Sequence, residues 1–172
     1  MPFEVAAGTM DPKGYAEQYR GKVTAHPKID PKTGEMVWFG YGVGDVPLSA
    51  GMSYGVTDAS GKVVRRDDFQ APFSSMVHDF LVTENYALFP ILPLTGSLER
   101  AMKGLPAYAW EPDKGSHVGV MRRDGEVASI RWFNAPPSYV CHPMNAWEEG
   151  GKIIADVCRY DTAPLFPNAD GS

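Results

Sequence analysis

Closely spaced turn signals divide this sequence, and they restrict the folds it can adopt more than any other feature. Each signal carries Asn, Asp or Gly and lies between runs rich in β-branched and aromatic residues, the composition typical of strands. The signals are PKTG (31–34), DASG (58–61), TEN (83–85), RRDG (122–125) and EEGG (148–151). Because these residues tolerate the positive φ of hairpin turns, we predict at least five hairpins.

The runs between the turns predict a nearly all-β fold built of antiparallel hairpins. They are MVWFGYG, KVVRRDDF, VHDFLV, YALFPIL, HVGVM, VASIRWF and KIIADVCRY. SLERAMKG (97–104) is typical of a helix, with a serine start and a glycine stop, and a second short helix is predicted within residues 12–20. The 172 residues are enough for one domain with a substantial core.

Charge and cysteine content exclude several classes of function. The net charge is -5, and nucleic acids or anionic membranes bind to basic faces, so we expect no nucleic-acid partner. The small basic cluster Arg65 and Arg66 adjoins Asp67 and Asp68, which cancel it locally. Two cysteines without a CxxC motif predict a reduced, cytoplasmic setting rather than a disulfide framework.

Targeting and membrane signals are not predicted. The first residues, MPFEVAAGTMDPKGY, have no basic region followed by an apolar core, so we expect no signal peptide. No apolar run approaches the roughly 18 residues that a membrane-spanning helix needs. The sequence therefore predicts no integral membrane segment.

Three histidines recur at similar distances from a following turn. His26 stands eight residues before Gly34, His78 seven before Asn85, and His142 eight before Gly150. Each is followed by a strand, a turn and a returning strand, and a unit of about 40 to 50 residues made of hairpins is typical of a propeller blade. If each histidine begins the inner strand of its blade, the three side chains meet at the axis and form a metal site.

A competing interpretation applies to each of these histidines. A single histidine on a strand is more often a structural or solvated residue than a metal ligand. His117 illustrates the point, because it also stands eight residues before a turn glycine, Gly125, yet only 25 residues before His142. Turn offset alone therefore does not identify ligands.

Other candidate residues have alternatives that the sequence leaves open. Asp79 either hydrogen-bonds a neighbouring imidazole or caps its strand, and capping is favoured. Glu148 and Glu149 either serve a metal or are solvated beside their turn, and solvation is favoured. Six aromatic residues either line an apolar tunnel or pack in the core, and core packing is favoured. They are Trp38, Phe39, Phe80, Phe89, Phe133 and Trp147.

Three longer segments carry a resemblance to a known family. They are TAHPKIDPKTGEMVWFGYG, SSMVHDFLVTENYALFPILPLT and YVCHPMNAWEEGGKIIADVCRY, which together span most of residues 20–162. Their order and spacing resemble the carotenoid cleavage oxygenases, and most closely the bacterial lignostilbene dioxygenases. The resemblance implies a seven-bladed β-propeller that holds iron(II) on its axis with four histidines.

The resemblance also implies which residues bind the metal. His26, His78 and His142 match the first three ligands, and His117 matches none. The fourth ligand histidine, and the glutamates that orient the ligands in the family, have no match in this sequence. We therefore expect residues 1–172 to be a single partial propeller domain of about three blades, an interior fragment truncated at both ends, with one Fe(2+) per full-length chain.

The implied activity is that of a dioxygenase, an oxidoreductase that splits a conjugated C=C bond with O2 into two carbonyl products. The expected partners are dioxygen and a small hydrophobic or phenolic alkene, either a stilbenoid or a carotenoid. With three ligands, we expect the fragment alone to be inactive. Two alternatives are a non-catalytic truncated propeller module and a hydrolase with zinc on the three histidines. Substrate-binding residues and the oligomeric state are not predicted.

Overall fold

The chain folds almost entirely into antiparallel strands. The computed structural model describes residues 1–172 and contains fourteen strands and one short α-helix. The strands are β1 (Phe3–Val5), β2 (Pro12–Tyr15), β3 (Lys28–Ile29), β4 (Met36–Tyr41), β5 (Gly51–Thr57), β6 (Val63–Gln70), β7 (Leu81–Val82), β8 (Tyr86–Ile91), β9 (Leu94–Gly96), β10 (Tyr108–Trp110), β11 (Ser116–Arg122), β12 (Arg131–Ala135), β13 (Tyr139–Glu149) and β14 (Lys152–Tyr160). The helix is α1 (Leu98–Met102). The predicted all-β class is confirmed.

Two four-stranded sheets and one long hairpin carry the architecture. The first sheet has the order β3-β4-β5-β6 and the second has the order β7-β8-β11-β12, with every neighbouring pair antiparallel. The long hairpin pairs β13 with β14. Strands β9 and β10 form a separate pair inserted between β8 and β11. A four-stranded antiparallel sheet of this kind is the unit of a β-propeller.

The predicted turns lie where the sequence places them. Gly34, Gly61 and Gly150 adopt positive φ values of 72°, 88° and 58°, which only glycine adopts without strain. In the DASG turn, the Asp58 carboxylate accepts hydrogen bonds from the backbone of Ser60 and Lys62 at 2.9 and 3.0 Å. This side-chain bonding to the backbone is the usual way in which aspartate stabilises a turn.

The helix predicted at 97–104 is confirmed as an α-helix, whereas the short helix predicted within residues 12–20 is present only as a 3-10 turn. The Ser97 hydroxyl accepts a hydrogen bond from the backbone N–H of Arg100 at 3.1 Å, and so caps α1. Residues 12–20 instead form β2 and a single 3-10 turn at Glu17–Tyr19. None of the helices reaches the length and apolarity needed to cross a bilayer.

Two of the predicted strands are shorter than expected. Only Leu81–Val82 of the run VHDFLV pairs as a strand, so His78 lies in an extended segment just before β7. In the run VASIRWF, Val127–Ser129 forms a 3-10 turn and pairing begins at Arg131. Both runs have the composition of strands, but a strand also needs a neighbour at the right distance.

The main core lies between the first and second sheets. Phe39 of β4 packs against Phe80, with ring centroids 4.9 Å apart, and Phe80 stacks on Phe89 of β8 at 6.3 Å. Tyr54 of β5 completes the contact, edge-on to Phe89 at 6.1 Å. All four side chains are fully buried. Aromatic burial of this size is a large apolar contribution, and it fixes how the two sheets face each other.

A tryptophan lies over a glycine in each sheet. Trp38 of β4 is paired with Gly55 of β5, and Trp132 of β12 with Gly119 of β11. A β-carbon added to either glycine would overlap the facing indole ring. The buried Trp38 ring also donates from Nε1 to Thr57 Oγ1 at 3.1 Å, so its position is held from two directions.

Replacement of Gly55 by alanine is expected to destabilise the fold by about 1–3 kcal/mol, the range for overpacking a close-packed interior. The added methyl group forces the Trp38 indole away from the strand and from Thr57. Urea denaturation followed by tryptophan fluorescence measures the change. Val64→Ala, on the exposed part of β6, serves as the control and is expected to stay within about 0.5 kcal/mol. Equal stability of both variants would contradict this account of the Trp–Gly pair.

Candidate metal centre

Three of the four histidines converge at one point. The Nε2 atom of His78 lies 3.0 Å from Nε2 of His26 and 3.0 Å from Nε2 of His142. The rings of His26 and His142 are also in contact, with centroids 4.9 Å apart. The structure thus brings together the three residues that the turn spacing and the family resemblance singled out. Their role as metal ligands stays a prediction.

His26 is held by short-range hydrogen bonds just before β3. Its backbone N–H donates to Thr24 Oγ1 at 3.0 Å, and the backbone N–H of Thr24 donates to the carbonyl of Phe39 at 2.7 Å. The second bond attaches the segment to β4 of the same sheet. His26 is therefore fixed to the first sheet, although it lies outside the strand pairing.

His78 is oriented by the burial of its two neighbours. Val77 and Asp79 are only 2% and 5% exposed, whereas His78 is half-buried. In an extended segment, successive side chains point to opposite sides. Burial of the neighbours therefore turns the imidazole of His78 toward the other two histidines. The backbone N–H of Met76 donates to the carbonyl of Leu94 at 2.9 Å and attaches the segment to β9.

His142 lies in an irregular part of the long hairpin. The register of β13 and β14 shifts between Val140 and Pro143, and again between Pro143 and Asn145. Such bulges insert extra residues on one strand and change the direction of the side chains there. In a regular strand, the direction of the His142 side chain would be set by the strict alternation of the two faces. The bulge changes that direction, and the imidazole points toward the other two.

Hydrogen bonding alone does not satisfy this arrangement. Each imidazole Nε2 either carries one proton or offers one lone pair. The Nε2 atom of His78 faces two other Nε2 atoms at the same distance, so it forms a well-directed hydrogen bond to only one of them. A cation shared by the three nitrogens would engage all three lone pairs at once.

The spacing of the nitrogens also fits a shared ion. Imidazole nitrogens bind divalent transition metals at about 2.1 Å, and two such bonds at a right angle place their nitrogens about 3.0 Å apart. Both Nε2 separations made by His78 are 3.0 Å. Imidazole is a suitable donor for iron, zinc, copper and nickel, so the donor set by itself does not select one of them.

The surroundings of His78 favour its neutral form. Burial lowers the pKa of His78 below its ordinary value, and the neighbouring His26 and His142 lower it further, while Asp79 opposes the change. Only a neutral imidazole offers a lone pair to a metal. No carboxylate hydrogen-bonds any of the three rings, whose side-chain hydrogen-bond contacts are with one another.

The fourth histidine lies elsewhere. His117 is on β11, where its ring packs edge-on against Phe73 at 5.5 Å and its Nε2 lies 3.3 Å from the carbonyl oxygen of Lys114. It has no contact with the cluster, as expected of a residue that matches no ligand position and is either structural or exposed. A histidine eight residues before a turn glycine therefore need not belong to the cluster, as His117 shows.

Two acidic residues have roles that the sequence described only in part. Asp79 caps its own segment, because its Oδ1 accepts from the backbone N–H of Phe80 at 2.7 Å, and it also accepts from Lys28 at 2.8 Å. Glu148 is exposed to solvent, as expected, but it also makes specific hydrogen bonds. Its Oε1 accepts from Thr83 Oγ1 and from the backbone N–H of Asn85 at 2.6 and 2.8 Å. It thereby ties the long hairpin to the second sheet.

The aromatic residues divide into two groups. Trp38, Phe39, Phe80 and Phe89 are fully buried and confirm the preference for core packing. Phe133 and Trp147 do not belong to the buried core; Phe133 is 48% exposed, and Arg131 lies over its ring. Phe133 lies in β12, at the edge of the second sheet, and Trp147 lies in β13 of the long two-stranded hairpin.

Replacement of Glu148 by glutamine is expected to lower stability by about 1 kcal/mol at neutral pH, because the amide NH2 would face the Nδ2 donor of Asn85 and the neutral amide oxygen accepts less strongly from Thr83 than a carboxylate does. The hydrogen bond from Thr83, and then those from Asn85, hold the pKa of Glu148 below its ordinary value of 4.5. Since the folded pKa is the lower one, the stabilisation is present above about pH 4.5 and is lost as the pH falls. Thermal melts at neutral pH and near pH 4 measure both effects.

The neighbouring Glu149 offers the control for this experiment. Its carboxylate accepts only one long hydrogen bond, 3.4 Å from Trp147 Nε1. We expect Glu149→Gln to melt like the wild type at both pH values. A Glu148→Gln variant that is as stable as Glu149→Gln at neutral pH would show that this link between hairpin and sheet is energetically unimportant.

Comparison with known proteins adds a family and several relatives. The family model described as retinal pigment epithelial membrane protein matches residues 1–171. The chain is 43% identical to isoeugenol monooxygenase of Pseudomonas putida, over 98% of this chain and 36% of that protein. It is 35% identical to lignostilbene-alpha,beta-dioxygenase isozyme III of Sphingomonas paucimobilis, over 95% of this chain and 35% of that protein.

Solved structures give the same result for the fold. The crystal structure of Pseudomonas brassicacearum lignostilbene dioxygenase superimposes with a TM-score of 0.90 at 34% identity, over 100% of this chain and 37% of that one. A cobalt-substituted apocarotenoid oxygenase from Synechocystis superimposes with a TM-score of 0.81 at 27% identity, over 99% of this chain and 38% of that one. The predicted partial β-propeller is thereby confirmed. The chain spans 35% to 38% of the length of these four proteins.

Proposed function

Because the chain belongs to the retinal pigment epithelial membrane protein family of carotenoid oxygenases, we propose that it supplies three ligands of an iron(II) centre. In this proposal His26, His78 and His142 hold one Fe(2+). The centre serves a dioxygenase that cleaves a C=C bond with O2 and releases two carbonyl products. The observation that carries the proposal is the convergence of three Nε2 atoms, two of whose separations are 3.0 Å.

The proposed substrate is a phenolic alkene rather than a carotenoid. The two isoeugenol monooxygenases are 43% and 39% identical to the chain over 98% of its length. Carotenoid cleavage oxygenase 1 of Neurospora crassa is 38% identical, but over only 86% of the chain. The isoeugenol monooxygenases thus match a larger part of the chain, and at higher identity, than the carotenoid cleavage oxygenase does. Their names point to a phenolic alkene as substrate. A stilbenoid of the lignostilbene type remains within the proposed class.

The chain's own residues supply a rigid set of neutral donors. When bound, ferrous iron would supply the one-electron chemistry through which dioxygen reacts with an alkene. Burial of Val77 and Asp79 orients His78, the bulge in β13 orients His142, and Thr24 holds His26. His142 is the most exposed of the three histidines, so the cluster is open to small molecules on the side of the long hairpin.

We also propose that residues 1–172 act as a single partial propeller domain of about three blades. The first sheet, the second sheet and the long hairpin would each correspond to one blade, and each carries one of the three histidines. The family resemblance implies a fourth histidine ligand, which no residue of this chain matches. With three donors and no orienting carboxylate, weak metal binding is expected of the 172 residues by themselves.

The test is metal content and alkene cleavage, measured on the 172-residue chain and on its complete open reading frame. Each protein is expressed in iron-supplemented medium, and metals are quantified by mass spectrometry. Isoeugenol, a 4-hydroxystilbene and an apocarotenal are supplied under air and under argon, and carbonyl products are quantified by chromatography. We expect iron and oxygen-dependent aldehyde formation from the complete reading frame, with the phenolic alkenes as the faster substrates.

Other outcomes would select a different function. Stoichiometric zinc and turnover that does not depend on oxygen would favour the hydrolase with zinc on the three histidines. If neither protein retained a metal, the three imidazoles would be a structural cluster and the proposed function would be wrong. Faster cleavage of the apocarotenal would retain the iron centre but overturn the proposed substrate class.

A further inference from the structure

The segments that carry His26 and His78 lie outside the strand pairing of their own sheets. His26 precedes β3 and His78 precedes β7, and these two strands belong to different sheets. No sheet hydrogen bond therefore fixes the distance between the two imidazoles. Another contact must hold these two unpaired segments, whose histidines are 52 positions apart in sequence, so that the two Nε2 atoms lie 3.0 Å from each other.

A part-buried ion pair joins these two segments beside the histidines. Lys28 Nζ donates to Asp79 Oδ1 at 2.8 Å, and Lys28 follows His26 by two residues while Asp79 follows His78 directly. The Asp79 side chain is only 5% exposed, and that of Lys28 is 33% exposed. The same Oδ1 atom accepts from the backbone N–H of Phe80 at 2.7 Å, so the carboxylate cannot turn away. The Lys28 ammonium also lies 5.7 Å from the centre of the Phe80 ring.

This ion pair has no substitute near the site. Apart from the contact of the two imidazoles, it is the one hydrogen bond that joins residues 22–29 to residues 75–82. A second ion pair, Lys32 Nζ to Glu84 Oε1 at 2.6 Å, joins the same two hairpins further from the histidines. Its side chains are 72% and 65% exposed, and exposed pairs contribute little because solvent screens them.

We infer that Lys28 and Asp79 are positioning residues that set the separation of the His26 and His78 imidazoles, an inference that rests on the proposed metal centre. The pair acts on the backbone within two residues of each histidine and touches neither ring. In many metal sites, a carboxylate behind the ligating imidazole orients the ring. We infer a similar orienting role for this ion pair. Here the carboxylate fixes the segments rather than the ring nitrogens.

Loss of the pair is expected to weaken metal binding more than it weakens the fold. Residues behind metal ligands typically change metal affinity by about 10–100-fold when they are replaced. A single substitution would leave a buried charge without its partner, which is strongly destabilising by itself. The double variant Lys28→Met with Asp79→Asn removes both charges, and its asparagine Oδ1 still accepts from Phe80 N–H.

The experiment is a cobalt(II) titration of the complete open reading frame, followed by the visible absorption of the bound ion. Three proteins are compared: the wild type, the Lys28→Met/Asp79→Asn variant, and a control that carries Lys32→Met and Glu84→Gln. We expect the first variant to bind cobalt(II) about tenfold or more weakly, with a changed visible spectrum. The control is expected to match the wild type in both affinity and spectrum.

Two further measurements distinguish a positioning role of the ion pair from a purely structural one: the folding of each variant and the metal binding of Lys28→Arg. Far-UV circular dichroism and thermal melting are recorded for every protein, and the double variant is expected to remain folded because it buries no unpaired charge. Lys28→Arg keeps the ion pair and is expected to bind cobalt(II) as the wild type does. An unfolded double variant would show that the pair is only a structural support and would overturn the inference.

Two results distinguish this inference from the proposed function beneath it. If the wild type binds cobalt(II) and the double variant binds it equally well with the same spectrum, the metal centre stands and the positioning role is wrong. If the wild type binds neither cobalt(II) nor iron(II) added without oxygen, the proposed metal centre fails and the inference fails with it.

Discussion

Replacement of His78 by alanine is expected to abolish metal binding, with a rise in Kd of about a hundredfold or more. Removal of a ligand exceeds the roughly 10–100-fold effect of removing a residue behind a ligand. His78 is the central member of the cluster, because both Nε2 contacts of 3.0 Å are made by its own Nε2 atom. Cobalt(II) titration of the two proteins measures the loss.

The fold is expected to survive this substitution, because the His78 side chain is only half-buried and takes no part in the aromatic core. His117→Ala is the matched control, since His117 is also half-buried but lies apart from the cluster. It is expected to bind cobalt(II) as the wild type does. Retention of cobalt(II) by His78→Ala, or its loss in His117→Ala, would contradict the assignment of the metal centre.

Replacement of Arg123 by methionine is expected to cost about 3–5 kcal/mol of folding free energy, the range for breaking one side of a buried ion pair. Arg123 Nη1 donates to Asp30 Oδ2 at 2.7 Å and to the carbonyl of Glu84 at 3.0 Å, and both charged side chains are 14% exposed. Its own carbonyl accepts from Tyr54 and from Arg65. The residue thereby connects the first and second sheets, and urea denaturation measures its contribution.

The adjacent Arg122 is the control, because its ion pair with Asp124 lies in solvent. Arg122→Met is expected to leave the urea midpoint unchanged. The hydrogen bond from Arg123 holds the pKa of Asp30 below its ordinary value of 3.8. The folded pKa is thus below the unfolded one, so the pair stabilises the protein above about pH 3.8 and less as the pH falls. An Arg123→Met variant as stable as Arg122→Met would show that the pair contributes nothing.

The turns and the core strands could be predicted from the sequence, because the residues that determine them are close together along the chain. Asp58 and the glycines of the turns act within four residues of themselves, so their chemistry is visible in a short segment. The runs around Phe39 and Phe89 have the composition of buried strands, and both residues are buried. Strand ends were less accessible, as the run VHDFLV shows, because its first four residues find no pairing partner.

The contacts between sheets could not be predicted, because their partners are far apart in sequence. Lys28 and Asp79 are 51 positions apart, Thr83 and Glu148 are 65 apart, and Asp30 and Arg123 are 93 apart. No local pattern marks either member of such a pair. The distance from a following turn did not separate the three histidines from His117, which shares it. Only the family resemblance distinguished the three candidate ligands from the fourth histidine.

The dispersal of the three histidines has a consequence for how the proposed metal centre would form. Each histidine belongs to a different sheet or hairpin, and successive members are 52 and 64 positions apart. Contacts across such distances form late, since the chain must first close long loops. In the proposed metal centre, an ion would therefore be captured only after all three units have docked correctly. Metal retention would then serve as a quality check on assembly, and misdocked molecules in a preparation could be counted by the metal they lack.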